Sequence, residues 1–278
     1  MVSLAIPMGC GVNRCRRGNE AEKVRHRSAA SLPTARCFSE RDPAVPLWRR
    51  ALAETVGTLL LTLAVAGSAL VGAHATLEPL GGLLANAFAI GGALAGLIVA
   101  LGPVSGGHFN PLITLLQWWA DRRSTRCALA YCAGQLVGAA AGAAVANGLV
   151  SAAAPRLALG GAVRWHWLPS EFTCAFGLLV VVFGCIRSDN RTTAPFGVGA
   201  WLTACIIATP SRSLANPAVA VAMILICATG SGSVSGALLI AVAEVCGALF
   251  ALALIGLLYP QRPQNALAKV RQAVGESS

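Results

Sequence analysis

Two Asn-Pro pairs, Asn110-Pro111 and Asn216-Pro217, are the residues of this sequence best placed to do chemistry. Asparagine is a preferred N-cap and proline is preferred in the first turn, so each pair predicts the start of a helix. The asparagine oxygen then accepts a hydrogen bond from its own helix, which leaves the side-chain NH2 group free to donate to a solute. A lone pair would indicate only a turn or a cap, but two pairs at matching places indicate a shared site.

The helices that follow the two pairs are predicted to be too short to cross a membrane. The apolar stretches cover about residues 110–120 and 216–227, and eleven residues reach roughly 16 Å, half of a bilayer core. Such half-helices must lie against protein or line a cavity, and they usually mark a permeation site. If they enter from opposite faces, their N-termini meet near the midplane and each brings about half a positive charge. Two amide donors there would orient the oxygen of a water or hydroxyl solute, and the positive ends would repel cations.

Composition places these half-helices in a membrane protein. The 278 residues are 56% hydrophobic and 12% charged, whereas a soluble domain carries roughly 25% charged residues. Six segments are apolar and long enough to be predicted as spans: about 50–72, 82–101, 127–150, 170–186, 194–209 and 235–259. The net charge of +10 does not indicate nucleic acid, because the basic residues lie between the spans and at the ends. No HExxH or GxSxG motif or metal-ligand spacing occurs, so we expect no enzyme, metal or cofactor.

The basic residues also predict the orientation. With six spans, 18 of the 21 Lys and Arg residues fall on the side that holds both termini. The positive-inside rule therefore predicts that both termini are cytoplasmic, and we expect a multi-pass protein of the cell inner membrane. Residues 1–46 are basic and lack apolar periodicity, which indicates either a disordered cytoplasmic tail or sequence ahead of the natural start. Residues 47–260 form the predicted channel domain, and 261–278 form a second cytoplasmic tail.

The channel domain repeats itself. Three pairs of matching positions recur at offsets of 117, 106 and 109 residues: Glu54 with Glu171, Asn110 with Asn216, and Gln135 with Glu244. The repeats cover about residues 50–150 and 168–260. Because each repeat has three spans, the second copy must be inverted relative to the first about an axis in the membrane plane.

Over about residues 48–260 the sequence resembles the major intrinsic protein family, the aquaporins and aquaglyceroporins. The residues that carry the resemblance are Ser105-Gly106-Gly107-His108-Phe109-Asn110-Pro111-Leu112, Asn216-Pro217-Ala218-Val219, Glu54-x-x-Gly57, Tyr131-x-x-x-Gln135-x-x-Gly138 and Glu171. The resemblance implies an all-α membrane fold of six transmembrane helices and two re-entrant half-helices in an inverted 3+3 repeat. It also implies a homotetramer with one pore per subunit, in contact with the lipid bilayer, that passes water and small uncharged solutes.

The sequence departs from the family pattern at three places. Leu112 replaces the usual alanine of the first motif, and Val219 replaces an arginine that usually lines the outer constriction. By motif position the other constriction residues fall on Ile90, Ala204 and Ser213. Arg212, next to Ser213, either swings in as a substitute cation or stays in an exposed loop. A gate of Ile, Ala, Ser and Val is less polar, so we expect glycerol or a neutral metalloid hydroxide to pass as well as water.

The resemblance implies roles for two acidic residues: Glu54 and Glu171 are expected to accept hydrogen bonds from the backbone of the re-entrant loops. His108 lies two residues before Asn110, so it is expected to line the cytoplasmic vestibule, and the alternative is a gate that responds to pH. Glu244 either packs as Gln135 does or couples transport to protons. The alternative functions are therefore a secondary transporter that uses Glu244, or a non-conducting structural tetramer, which the bulk of Leu112 would favour.

Overall fold

Long apolar runs interrupted by Gly, Pro and Asn produce an all-helical protein. The structure is a computed structural model that describes residues 40, 42, 44–74, 79–120, 122–149, 165–227 and 234–259. Eight helices lie within these residues: α1 Leu47–His74, α2 Pro79–Ser105, α3 Pro111–Trp119, α4 Thr125–Leu149, α5 Trp167–Arg187, α6 Ala194–Ala208, α7 Pro217–Cys227 and α8 Val234–Leu258. The predicted all-α membrane class is confirmed.

Five helices in the described part of the chain are long and apolar enough to cross a membrane: α1, α2, α4, α5 and α8. The segment predicted as a span at 194–209 forms the helix α6, which has 15 residues. It reaches only about 22 Å, which is less than the roughly 30 Å of a bilayer core. It ends at Ala208, and Thr209 already has extended backbone at φ −120° and ψ 145°. The chain leaves the helix at that point because the next residues form the loop that carries Asn216.

The two short helices have the lengths that the Asn-Pro pairs predict. Helix α3 has 9 residues and α7 has 11, so each reaches roughly 14–16 Å, about half of a bilayer core. Helix α3 packs on α4 and α7 packs on α8 and α4. The half-helices are therefore held by protein on their sides, as a short helix in lipid must be.

Matching glycines bring the long helices of each repeat together. A Cβ on Gly138 of α4 would lie 2.2 Å from the Thr55 carbonyl oxygen of α1. A Cβ on Gly247 of α8 would lie 2.2 Å from the Phe172 carbonyl oxygen of α5. Thr55 and Phe172 each follow the glutamate of their repeat. Helices α1 and α4 thus cross as α5 and α8 do, because only glycine lets the backbones approach so closely.

The described residues begin before the predicted boundary at residue 46. Contacts divide the protein into residues 1–35 and 36–278, and all described residues belong to the second unit. Glu40 is buried and forms ion pairs with Arg50 and Arg123, so it belongs with the helices rather than with a tail. Most of the predicted N-terminal tail, and the predicted C-terminal tail at 261–278, lie outside the described residues.

Candidate functional site

Each asparagine of the two pairs caps its own half-helix. Asn110 Oδ1 accepts from the backbone N–H of Leu112 at 2.9 Å, and Asn216 Oδ1 accepts from Ala218 at 3.1 Å. Asn110 has the extended backbone of an N-cap, with φ −152° and ψ 122°. Pro111 begins α3 and Pro217 begins α7, so both prolines occupy the first turn as the sequence predicts.

The two asparagines are also linked to each other's loops. Asn110 Nδ2 donates to the Ala215 carbonyl oxygen at 2.8 Å, and Asn216 Nδ2 donates to the Phe109 carbonyl oxygen at 2.8 Å. The prediction that each NH2 group is free is therefore wrong for one of its two hydrogens. The second hydrogen of each amide stays available to a solute, and the reciprocal bonds hold the two N-termini side by side.

The crossed bonds depend on a backbone conformation that the sequence does not reveal. Phe109 and Ala215, the residues before the two asparagines, have φ of 47° and 43°. This left-handed region disfavours side chains, so residue type alone gave no signal for it. Gly107 and Ser213 match in the same way, with φ of 67° and 45°. The two loops thus follow the same path although their side chains differ.

Glu54 holds the first loop through four hydrogen bonds. Its Oε1 accepts from Ser105 Oγ at 2.6 Å and from the His108 N–H at 3.0 Å. Its Oε2 accepts from the Phe109 N–H at 2.7 Å and from Gln135 Nε2 at 2.8 Å. The side chain is completely buried, so these donors replace the water that the carboxylate has lost.

Glu171 and Glu244 together hold the second loop. Glu171 Oε2 accepts from the N–H groups of Leu214 at 3.1 Å and Ala215 at 2.9 Å, while Oε1 lies 3.1 Å from the same Leu214 nitrogen. Glu244 Oε1 accepts from the Asn216 N–H at 2.8 Å. Three consecutive backbone donors are thus bound by two buried side chains, and Glu244 has a supporting contact that the sequence left undecided.

The loops and the long helices line a partly open cavity, and the space between its lining atoms is about 510 Å³ when the part open to solvent is included. Both asparagines lie on its wall, as do His108, Ser213 and the backbone of the loops. His108 is buried, and its Nδ1 lies 3.0 Å from Thr114 Oγ1. The remaining wall is mainly apolar, and among the described residues that line it there is no Asp, Glu, Lys or Arg.

Three of the four predicted constriction residues lie on this wall and the fourth does not. Ile90, Ser213 and Val219 line the cavity, but Ala204 is exposed and does not. The residues of α6 on the wall are Val198 and Leu202. They are four apart and share a helix face, whereas Ala204 lies about 200° around the helix from Leu202. The placement of Ala204 on the wall was wrong. Counting residues back from Asn216 crosses a loop, and the count does not determine which face of α6 a residue occupies.

The other departures from the family pattern lie away from the cavity. Leu112 packs in the hydrophobic core of the helices. Ala218, which keeps the alanine that Leu112 replaces in the first motif, packs against small residues of α4 and α7. Neither lines the cavity. Arg212 is exposed in the second loop, with φ of 59°, so its side chain does not substitute for the arginine that Val219 replaces. No group of His, Cys, Asp or Glu that could hold a metal occurs in the described ranges.

Comparisons with known proteins agree with this geometry. The profile of the family described as Major intrinsic protein matches residues 43–215. The chain is 40% identical over 222 residues to the aquaglyceroporin AqpS of Rhizobium meliloti (strain 1021), covering 78% of this chain and 93% of that protein. It is 47% identical over 109 residues to the lens fiber major intrinsic protein of Gallus gallus, covering 38% and 39%. The aquaglyceroporin from Plasmodium falciparum has the same fold, with a TM-score of 0.65 at 16% identity over 77% of this chain and 98% of that one.

Proposed function

Because the chain belongs to the major intrinsic protein family, we propose that it is a passive membrane channel for water and small neutral solutes such as glycerol. The observation that carries this function is the pair of asparagines, each of which caps its own half-helix and both of which lie on the wall of one cavity. Each amide keeps one hydrogen to donate to a solute oxygen. The two helix N-termini add positive potential that opposes protons and cations.

The wall of the cavity supports a solute range wider than water. Ile90, Leu202 and Val219 are apolar and Ser213 offers a single hydroxyl, whereas an arginine at residue 219 would add a charge and up to five donors. A neutral polyol or a neutral metalloid hydroxide has both apolar surface and hydroxyl groups. We therefore propose that glycerol, or arsenous or boric acid, permeates beside water.

The assembly and orientation follow the family pattern in this proposal. We propose a homotetramer in the cell inner membrane with both termini in the cytoplasm. The basic residues on this side support the orientation. Arg122 and Arg123 lie between α3 and α4, and Arg126 is in the first turn of α4. Arg187 ends α5, and Arg191 lies between α5 and α6. Accessibility of single cysteines to an impermeant thiol reagent on cells would test the orientation.

The two alternative functions lose their main support. A secondary transporter needs a carboxylate that faces the site, but Glu244 bonds the Asn216 backbone and does not line the cavity. The case for a non-conducting tetramer rested on the bulk of Leu112, but this side chain packs in the core and does not line the cavity. The channel is therefore the function that the geometry supports best.

Stopped-flow light scattering on proteoliposomes, with gradients of water, glycerol and arsenous acid, tests the solute range. We expect wild type to pass all three, and Val219→Arg to reduce glycerol flux on the order of tenfold while it reduces water flux less. Val219→Leu is the control, since it adds bulk without charge. A wild-type channel that passes only water would refute the wider range, and equal effects of Arg and Leu would refute the role of charge.

A further inference from the structure

A buried ion-pair cluster joins the segment before α1 to the loop between α3 and α4. Glu40 Oε1 lies 3.0 Å from Arg50 Nη1 and 3.2 Å from Arg123 Nη1, and Glu40 Oε2 lies 2.8 Å from Arg123 Nη2. The Glu40 side chain is 0% exposed and that of Arg123 is 5% exposed. The bond to Arg123 is bidentate, a geometry that fixes direction as well as distance.

Arg123 extends this cluster to the first pore loop. Its Nη2 donates to the Ser105 carbonyl oxygen at 3.3 Å, and the Tyr131 hydroxyl donates to the same oxygen at 2.7 Å. The Arg123 guanidinium also lies 5.6 Å from the centre of the Tyr131 ring. Ser105 is the last residue of α2, and its hydroxyl donates to Glu54. A chain of bonds therefore runs from Glu40 to the carboxylate that holds the loop.

The same guanidinium lies close to a residue of the cavity wall. A Cβ built on Gly106 would be 3.2 Å from His108 Nε2 and 3.5 Å from Arg123 Nη2. Both groups thus approach the same point beside the loop, and His108 is on the cavity wall. A shift of Arg123 would therefore change the surroundings of both the loop backbone and the His108 imidazole ring.

A buried carboxylate between two guanidinium groups is costly, and as a source of stability it could be replaced by apolar residues. The cluster instead fixes an orientation, because the bidentate bond to Glu40 determines where the Arg123 guanidinium points. We infer that Glu40 is a positioning residue of the pore, which holds Arg123 against Ser105 and so sets the loop that presents His108 and Asn110 to the solute. This inference rests on the proposed channel function. It assigns a segment outside the predicted channel domain to the permeation machinery.

Glu40→Gln tests the inference, with Asp42→Asn as the matched control. Asp42 is exposed, two residues away, and its carboxylate accepts from the Ala44 N–H, so the control makes the same change of charge without touching Arg123. Stopped-flow permeability should be divided by the amount of protein in the vesicles. We expect Glu40→Gln to lower glycerol permeability per channel at least about threefold and to change the ratio of glycerol to water permeability. Asp42→Asn should match wild type.

Arg123→Lys provides a second test if Glu40→Gln inserts poorly. Lysine keeps the charge but lacks the planar fork, so it should reproduce the changed permeability ratio. If these variants reduce only the amount of inserted protein, and the ratio and the activation energy of permeation match wild type, the cluster is structural and the inference is refuted. A wild-type protein that conducts nothing would refute the proposed function itself, which is a distinguishable result.

Discussion

Replacing Glu54 by glutamine should damage the protein more than the matched replacement of Glu171, although the two glutamates occupy equivalent places. An amide keeps one acceptor oxygen and turns the other into a donor. Each Glu54 oxygen accepts two bonds. The least costly orientation of the glutamine amide keeps its oxygen toward the Phe109 N–H and Gln135. The NH2 group then faces Ser105, whose hydroxyl can turn to accept a hydrogen bond from it. The His108 N–H then faces a donor.

The size of the difference follows from the bonds that survive. A buried N–H without an acceptor costs about 1–3 kcal/mol, and a hydrogen bond weakens by about 0.5–1 kcal/mol when its acceptor loses its charge. Glu54→Gln should therefore cost about 3 kcal/mol. In Glu171, Oε2 accepts from both Leu214 and Ala215, and Oε1 only shares the Leu214 N–H. An amide with its oxygen at the place of Oε2 keeps both bonds and loses only the shared contact, so the cost is about 1 kcal/mol. The relief of burying a neutral group is common to both variants and cancels in the comparison.

Thermal unfolding of the purified protein in detergent micelles measures this difference. About 2 kcal/mol corresponds to a midpoint roughly 4–8 °C lower for Glu54→Gln than for Glu171→Gln in a domain of this size. Flux per channel in proteoliposomes should fall in the same order, because the carboxylates shape the loops that carry the asparagines. Equal midpoints, or a lower midpoint for Glu171→Gln, would refute the reasoning from acceptor counts.

Three further predictions concern the same framework. Glu244→Gln should keep glycerol flux within about twofold and independent of a pH gradient, because an amide oxygen can accept the Asn216 N–H; dependence on the gradient would favour a transporter. Gly138→Ala should lower the free energy of unfolding by about 1–3 kcal/mol, because its Cβ would lie 2.2 Å from an α1 carbonyl oxygen. Gly96→Ala is the control, since its Cβ meets nothing within 4 Å, and thermal unfolding should show no loss of stability. Ser213→Gly should raise the unfolding midpoint by about 1–3 °C. The φ of 45° costs a side chain about 1–2 kcal/mol, and the freedom that glycine adds to the unfolded chain offsets about 0.5–1 kcal/mol of it. A lower midpoint would contradict this.

The placement of constriction residues shows where reasoning from motifs is sound and where it fails. Ser213 and Val219 lie three residues on either side of Asn216 in one continuous loop and helix start, and both line the cavity. Ala204 lies twelve residues before Asn216, with the end of α6 between them. A helix turns about 100° per residue, so an error of one or two residues moves a side chain from the cavity to the outer surface. Helical phase is decided by packing, as between Gly199 of α6 and Gly91 of α2.

Residue types and spacing were enough to reveal the membrane class, the repeat and the two capped half-helices, because apolar length and capping chemistry are local properties. The family resemblance, rather than spacing, implied that Glu54 and Glu171 bond the loops. Only the packing of the folded chain determined that each asparagine donates to the carbonyl oxygen of the residue that precedes the other asparagine, and that Glu40 contacts Arg123. These bonds join residues 105, 107 and 83 positions apart. Their partners are backbone oxygens and charged side chains that carry no mark in the sequence. The two asparagine bonds form only when the two repeats pack against each other, and the Glu40 bond forms only when the segment before α1 packs on the first repeat.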